Sequence, residues 1–520
     1  MSQQPAVAPE SVRAAEIIAA ACLATDLGMG FPFEHGLHGT LMAMRLAELL
    51  DVDRDTAWRT YHVSLLMYSG CITDADVATK IFAGRRTENV TPAQFGSSSE
   101  ALAGVVRALP DPEVSAPVRL TQAAGRLMTA ARFRKTHFAS LCEVAEMMAK
   151  RLGLPAEVHG LFAHLTERWD GKGLLKRGRG EEIPLPLRIV HVARDAAYQR
   201  VVGGDERAVD STRRRAGRAF DPTIARRLVE HAPEIFGAAD EPTSAWEATL
   251  DAEPHPRLTL EDGQVDGALA AIGNFADLVS AHLSGHSRGV ADLAASAAKI
   301  CGFEGNEHAL VRRAALVHDV GRVAIHPRIW QKPGPLSVDE WEHVRLHPYH
   351  SERVLVRSPL LASLAEIACA HHERLDGEGY HRRVAASTLG AGARLLAAAD
   401  AFHAMCEPRP HREAIPPERA AELLGEEARA GRLDPQMVAA VVEAAGQPPP
   451  PIERPAGLTE REVEVLGLLA RGLQTKQVAR RLGISVKTAD RHIQNAYRKA
   501  GVSTRAAATM FAMQHGLVPV

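Results

Sequence analysis

The stretch Ala370-His371-His372-Glu373-Arg374-Leu375-Asp376-Gly377-Glu378-Gly379-Tyr380 sets two imidazoles side by side and closes in a glycine-bearing turn. Working outward, His371 lies 52 positions after Asp319 of the doublet His318-Asp319, and Asp400 follows on another apolar, helix-patterned segment. Imidazole and carboxylate donors without thiolates suit Fe, Mn or Zn. A bridging carboxylate lets two ions sit close enough to share a water and a phosphate. The pattern predicts a hydrolytic metal centre. A lone His in an Ala-rich helix is more often an ordinary core or surface group, and with 24 histidines in the chain His343, His350, His403 and His411 are read that way.

The 520 residues are too many for one ordinary core and imply about three domains. Hydrophobic residues make up 46% and aromatics 5%, with Ala, Leu, Arg and Glu prominent and few β-branched runs, so the fold class expected is all-α. The six cysteines, Cys22, Cys71, Cys142, Cys301, Cys369 and Cys406, are scattered singly without a C-x-x-C, which speaks against a disulfide framework or a thiolate zinc site. No basic-then-apolar leader opens the chain, and no segment approaches the roughly 20 apolar residues that span a bilayer. A cytoplasmic protein is expected, with no membrane partner. The formal charge of −2 hides an asymmetry, for residues 457–520 carry ten Lys/Arg against four Asp/Glu. Such an end suits a polyanion.

Two breaks divide the chain: a polar stretch at 237–266, read as a linker, and a proline-rich spacer at 447–456 containing Gln447-Pro448-Pro449-Pro450-Pro451. They separate domains at 12–236, 267–446 and 457–520. The first two are repeats. Glu167-Arg168-Trp169-Asp170-Gly171-Lys172-Gly173 matches Glu373 to Gly379 at a spacing of 206, His38 is paired with His286, and Gly217 to Pro222 matches Gly431 to Pro435. In this register Met67-Tyr68 replace His318-Asp319, Leu165-Thr166 replace His371-His372, and Arg194 replaces Asp400. A guanidinium cannot ligate a cation, so the first copy is expected to have lost its metals. A one-residue slip would bring Asp195 to the last position without restoring the others. The first copy also carries about 45 extra residues in its middle.

Residues from about Phe275 to Ala445 resemble the HD-GYP family of HD phosphohydrolases, which hydrolyse cyclic di-GMP. The resemblance runs through His286 to Ala291, His318 to Arg322, Lys332-Pro333-Gly334, His347-Pro348, His371 to Tyr380, Asp400, and Arg409 to Arg412. It implies two divalent ions, Fe or Mn with Zn as a further candidate. Asp319 would be shared, His318 and Asp400 would complete one ion, and His347, His371 and His372 the other. His286 is a candidate ligand of a third metal, but the acidic companion expected four residues earlier is His282 here. Arg322 stands where the family has Lys and would contact phosphate. Asp376, Gly377, Gly379 and Tyr380 would form the substrate loop, in which Gly377 and Gly379 allow positive φ or a close backbone approach. His381 replaces the proline of the G-Y-P signature, which puts substrate identity in more doubt than metal binding. Glu373 and Asp376 are candidates to back up a ligand or cap the loop, either orienting a ligand histidine or making a salt bridge with Arg374.

From Leu458 onward, helix boundaries crowd together: Thr459-x-x-Glu462 is a capping box, Gly472 and Gly483 end helices, and Ser485 caps a helix running to Ala500 before Gly501. The segment resembles the LuxR-type helix-turn-helix. That resemblance implies double-stranded DNA as partner, with Asp490, Arg491 and Gln494 at base edges and Lys476, Lys487, Thr488, Arg498 and Lys499 at phosphates. A homodimer is expected, with the helix from Arg505 to His515 either lending a dimer face or closing the small core. The whole is expected to be two tandem HD-like helical bundles, the first degenerate, plus a four-helix DNA-binding domain. Its function is expected to be transcription regulation coupled to cyclic dinucleotide hydrolysis. The alternative is a catalytically vestigial, nucleotide-sensing transcription factor.

Overall fold

The computed structural model describes residues 12–70, 95, 138–240, 244–451, 455–515 and 517. The middle excess of the first copy and Cys71 fall largely or wholly outside this range. Helices dominate, and among the described residues the only strands are Val12–Arg13 and Thr259–Leu260, paired antiparallel with Val12 opposite Leu260. No helix is long and apolar enough to cross a membrane among the described residues. Two compact units emerge. One holds residues to Asp292, Arg312–Cys369 and Glu407–Ala414; the other holds Leu293–Val311, Ala370–Cys406 and Ile415 onward.

The first unit is centred on Ala14–Met29, a helix buried on nearly every face. A helix apolar all round belongs in a core, and its small Ala side chains let neighbours approach. His35–Leu49 and Arg54–Leu65 pack against it, Leu185–Arg215 packs on those two helices, and Ile17, Leu23, Leu37, Met42 and Leu46 are buried. Leu185–Arg215 is interrupted at Gly203-Gly204, where the backbone leaves helical angles. Ala14–Met29 also packs on the tight turn Val320–Ala324, which follows His318-Asp319 directly. Glu16 accepts a hydrogen bond from the Ser358 hydroxyl, and Arg357 pairs with Glu34 at 3.0 Å.

The reading of 237–266 as a linker needs correction. This stretch contains the helix Ala245–Asp251, capped by Ser244, with Trp246 and Leu250 buried, then the strand Thr259–Leu260 and the start of Asp262–Asp277. Glu253 receives Arg13 at 2.6 Å. Its polar composition misled because the polar groups face partners distant in sequence, such as the Tyr61 hydroxyl donating to Thr249 O.

In the second unit, Ala391–Cys406, Pro417–Arg429 and Pro435–Ala444 pack through Leu395, Leu396, Leu424, Val438 and Val441. The proline stretch is non-helical, and Pro450 lies against Gly425. The last four helices, Glu460–Ala470, Thr475–Arg481, Val486–Ala500 and Arg505–Gln514, share a core of Val465, Leu466, Leu469, Val478, Ile493 and Ala508. The capping box at Thr459/Glu462, the Ser485 cap and the left-handed Gly501 are all present.

Candidate metal centre

The polypeptide delivers His318 and Asp319 at the end of the helix Gly305–Val317, just where the chain tightens into Val320–Ala324. Three imidazoles converge on the buried Asp319 carboxylate: Nε2 of His318 at 2.9 Å, of His347 at 3.2 Å and of His286 at 3.4 Å. In each ring the other nitrogen is engaged. His318 Nδ1 donates to Ala315 O at 2.7 Å, His347 Nδ1 to Val344 O at 2.6 Å, and His286 Nδ1 to Glu407 Oε2 at 2.8 Å. A neutral imidazole whose Nδ1 carries the proton presents its Nε2 lone pair. The donor set therefore fits divalent cations, which take neutral imidazole nitrogen and ionised carboxylate. Burial pushes the Asp319 carboxyl up, but Arg322 and His318 beside it outweigh burial and hold it well below the usual carboxylate range.

On the other stretch, the His371 and His372 rings lie 4.1 Å apart, His372 Nδ1 is 3.8 Å from Asp400 Oδ2, and the Tyr380 ring stacks on His372 at 4.1 Å. Donor atoms of His286, His318, Asp319 and Asp400 lie within 4.8 Å of one another, as do those of His347, His371 and His372. A third grouping, His286, His403 and Glu407, is equally close, although sequence reasoning passed over His403 as ordinary and did not consider Glu407.

Arg322 turns back onto Asp319 at 2.7 Å and lies over the Trp330 ring at 5.4 Å, while its Nε and Nη1 are buried without a hydrogen bond among the described residues. Trp330, unflagged by the sequence, donates its indole N–H to Arg322 O at 3.3 Å and meets the His347 ring edge-on. The loop glycines have distinct reasons. Gly377 is left-handed at φ 77°, and a Cβ at Gly379 would lie 2.6 Å from Glu373 Cα. Asp376 accepts from Glu378 N at 2.9 Å, a local turn brace. Glu373 caps the loop: its carboxylate accepts the N–H groups of Arg382 and Val384 at 3.3 and 3.2 Å, tying the loop together after Tyr380.

The first copy repeats this frame closely. Trp169 N donates to Ala219 O as Leu375 N does to Arg432 O, both at 3.0 Å. Lys172 N bonds Asp170 as Glu378 N bonds Asp376. Asp221 and Asp434 both cap helices opening with Pro, and each receives an arginine, Arg188 and Arg394. The histidine register needs correction. Gly36 N donates to Asp26, ten residues back, as Ser287 N does to Asp277, so His35 rather than His38 is the counterpart of His286. His35 then shares its spacing of 251 with Met67-Tyr68 and His318-Asp319.

Where the second copy gathers donors, the first places the buried Arg194. Its Nη1 donates to Gly36 O at 2.7 Å and its guanidinium lies 5.0 Å from the centre of the Tyr68 ring. Gly39 makes room, since a Cβ there would sit 2.6 Å from Arg194 Cδ. Asp195 faces away to Arg215, so the slipped register is not adopted. Burial, offset in part by Arg194, lifts the Asp26 carboxyl to about 7.

In the C-terminal helices Lys476, Lys487, Thr488, Asp490, Arg491, Gln494 and Arg498 are exposed. Thr488 also bonds Ser485, and Arg498 bonds Asn495 at 2.8 Å. Lys499 departs from expectation: it is half-buried and pairs with Glu462 at 2.7 Å, clamping the first helix to the third rather than standing free. In the last helix Ala508 and Ala512 are buried and Phe511 packs on the core, while Met510 and Met513 are 61% and 62% exposed.

Comparison with known proteins agrees with this layout. Residues 271–437 match the HD domain model and residues 456–512 the model of bacterial regulatory proteins of the luxR family. The chain is 26% identical over 446 residues to the 3'3'-cGAMP-specific phosphodiesterase 3 of Vibrio cholerae, covering 84% of this chain and 96% of that relative. It is 38% identical over 136 residues to a cyclic di-GMP phosphodiesterase of Thermotoga maritima, covering 26% of this chain and only 36% of that relative. The crystal structure of a cyclic GMP-AMP-specific phosphodiesterase of V. cholerae superposes with a TM-score of 0.59 at 24% identity, over 84% of this chain and 99% of that one, a likeness of fold.

Proposed function

This chain is an HD-domain protein with a C-terminal luxR-family module, and from that premise we propose that it is a metal-dependent phosphodiesterase of 3',3'-cyclic dinucleotides that also binds DNA. The observation that carries the reading is the convergence of three Nε2 atoms on the buried Asp319 carboxylate. The two donor groupings around His318/Asp319/Asp400 and His347/His371/His372 are the places where two divalent ions would be held. Bound there, such ions would lower the pKa of a water and clamp phosphodiester oxygens.

The chain's own residues supply the rest. Asp319, held ionised chiefly by the Arg322 guanidinium, faces His318 and His286 on one side and His347 on the other. Arg322 offers two buried, unengaged N–H directions to a phosphate and is steadied by Trp330. A planar guanidinium fork suits phosphate oxygens. Tyr380, stacked on His372, fixes that ring and forms one wall against a base or ribose. The Vibrio relative matches both copies in length, which makes 3',3'-cGAMP the first substrate to try, beside cyclic di-GMP.

The test uses purified full-length protein with Mn²⁺ or Fe²⁺, both dinucleotides and a cyclic mononucleotide. Linear product from a cyclic dinucleotide, absent in Asp319→Ala, supports the reading; an ion-loaded protein that cleaves none of them sinks it. A second reading, a sensor that binds without turnover, draws on the Arg322–Asp319 contact and on His381 following Gly379-Tyr380. Tight binding without product would favour it. For the DNA arm, affinity for duplex should fall steeply with salt, and Lys487→Ala should lower that slope by about one unit. A homodimer joined through Met510 and Met513 completes the proposal, and sedimentation of Met513→Glu checks it.

A further inference from the structure

We infer that Glu407 is a positioning residue that fixes His286 as a ligand of the metal centre through Nε2. This rests on the metal-centre reading above and adds to it a residue that no spacing or motif singled out. His286 is wholly buried, and its two nitrogens face two different carboxylates: Nδ1 meets Glu407 at 2.8 Å and Nε2 meets Asp319 at 3.4 Å. A neutral imidazole carries one N–H. The short contact puts it on Nδ1 and leaves the Nε2 lone pair on the Asp319 side, where His318 and His347 also direct theirs.

Those two rings use backbone carbonyls as Nδ1 acceptors, whereas His286 begins the helix His286–Ile300 and uses a side-chain carboxylate instead. A carboxylate in that place orients the ring and raises its basicity as a ligand. Glu407 is itself mounted. Arg409 Nη2 holds the same Oε2 at 2.8 Å, Arg409 Nη1 donates to His282 O at 2.8 Å, and Arg412 Nη1 donates to Glu407 O at 3.2 Å. The mount thus ties the 407–412 turn to the segment leading into His286.

The metal-poor copy lacks the arrangement. At the spacing that pairs Arg194 with Asp400, the counterpart of Glu407 is Val201, 52% exposed, and His35 Nε2 is buried with no hydrogen bond among the described residues. The competing use of the same atoms is an additional cation held by His286, His403 and Glu407. That would strip the proton from Nδ1 and set a cation against Arg409 at one carboxylate oxygen, which the geometry disfavours.

Metal content and Mn²⁺ affinity by chelator competition, measured on the full chain, decide it. Wild type should bind two ions. Glu407→Gln should still reach two at saturation but hold the weaker one about 10–100-fold less tightly. His286→Ala should lose at least as much, and the double variant no more than His286→Ala, because Glu407 acts only through that ring. Arg409→Gln, which leaves Glu407 in place, should give a smaller loss of the same sign, with the melting of the metal-free protein unchanged in Glu407→Gln. Unchanged affinity in Glu407→Gln overturns the inference alone. So does a wild type with three ions from which Glu407→Gln removes one outright. A wild type that binds no ion overturns the metal-centre reading as well.

Discussion

Asp400 and Arg194 occupy the same place in two copies of one frame, and the exchange is accompanied by changes at the positions of His318-Asp319 and His371-His372, while the position of His286 keeps a histidine, His35. In the second copy carboxylate and imidazoles gather around Asp319; in the first, a guanidinium lies against the Tyr68 ring and the Gly36 carbonyl. The first copy carries its own buried cation where, in our reading, the second borrows two. The turns that mount the site are kept in both, as the Asp170 and Asp376 braces and the Asp221 and Asp434 caps illustrate. Frame and chemistry are therefore separable: turn geometry survives because folding needs it, while the donor set is free to change once another group satisfies the buried charge.

The sharpest way to break this contrast is to remove matching residues. Asp319→Ala should cut turnover by about 10²–10³-fold or more, because the ions that would stabilise the developing charge would lose the carboxylate that holds them. Tyr68→Phe at the matching position should leave turnover within experimental scatter in the same assay. Next in size, Arg194→Ala should destabilise the protein by about 3–5 kcal/mol, because it leaves the buried Asp26 carboxyl and the Gly36 carbonyl without their cation. Asp400→Ala in metal-free protein should cost little or even stabilise, since it removes a carboxylate from a donor cluster; denaturant melts of both variants decide.

A smaller difference concerns the loop glutamates. Glu373→Gln should cost about 1–3 kcal/mol by weakening its hold on two backbone N–H groups. Glu167→Gln should be neutral or stabilising, for the Glu167 carboxylate is buried with no hydrogen bond among the described residues. A further difference lies in pH dependence. Burial, partly offset by a hydrogen bond to Trp58 O, lowers His62 to about 4. The unfolded chain, titrating near 6.5, takes up a proton that the folded chain refuses, so this contribution to stability is full above pH 6.5 and is lost as pH falls toward 4. The loss is about 1.4 kcal/mol per pH unit per proton. His62→Gln should reduce by one the proton uptake read from the pH dependence of unfolding.

Much of the site was legible because its signals are local. His371-His372 and the Asp376-Gly377 turn are contiguous in the chain, and caps at Thr459 and Ser485 depend on residues three apart. What escaped notice was long-range. Glu407 reaches His286 across 121 positions, and Trp330 reaches Arg322 through a ring face that no spacing encodes. Lys499 looked like a phosphate contact because its partner Glu462 sits 37 residues away. The polar stretch 237–266 looked like a linker because its buried Trp246 and its Arg13–Glu253 pair join elements at opposite ends of the first repeat.

By itself the amino-acid order determined the helical class, the repeated turn signatures, the luxR-like helical end and the candidate donor side chains. These follow from periodicity, capping and composition, which act over one or two helical turns. The tertiary structure alone decided which nitrogen of each histidine faces Asp319, that His35 and not His38 answers to His286, and that Arg194 meets the Gly36 carbonyl and the Tyr68 ring while the equally buried Asp195 pairs with Arg215. Those choices depend on packing between segments far apart in the chain, where a rotation of one helix by a single residue swings a side chain about 100° and exchanges a buried partner for solvent.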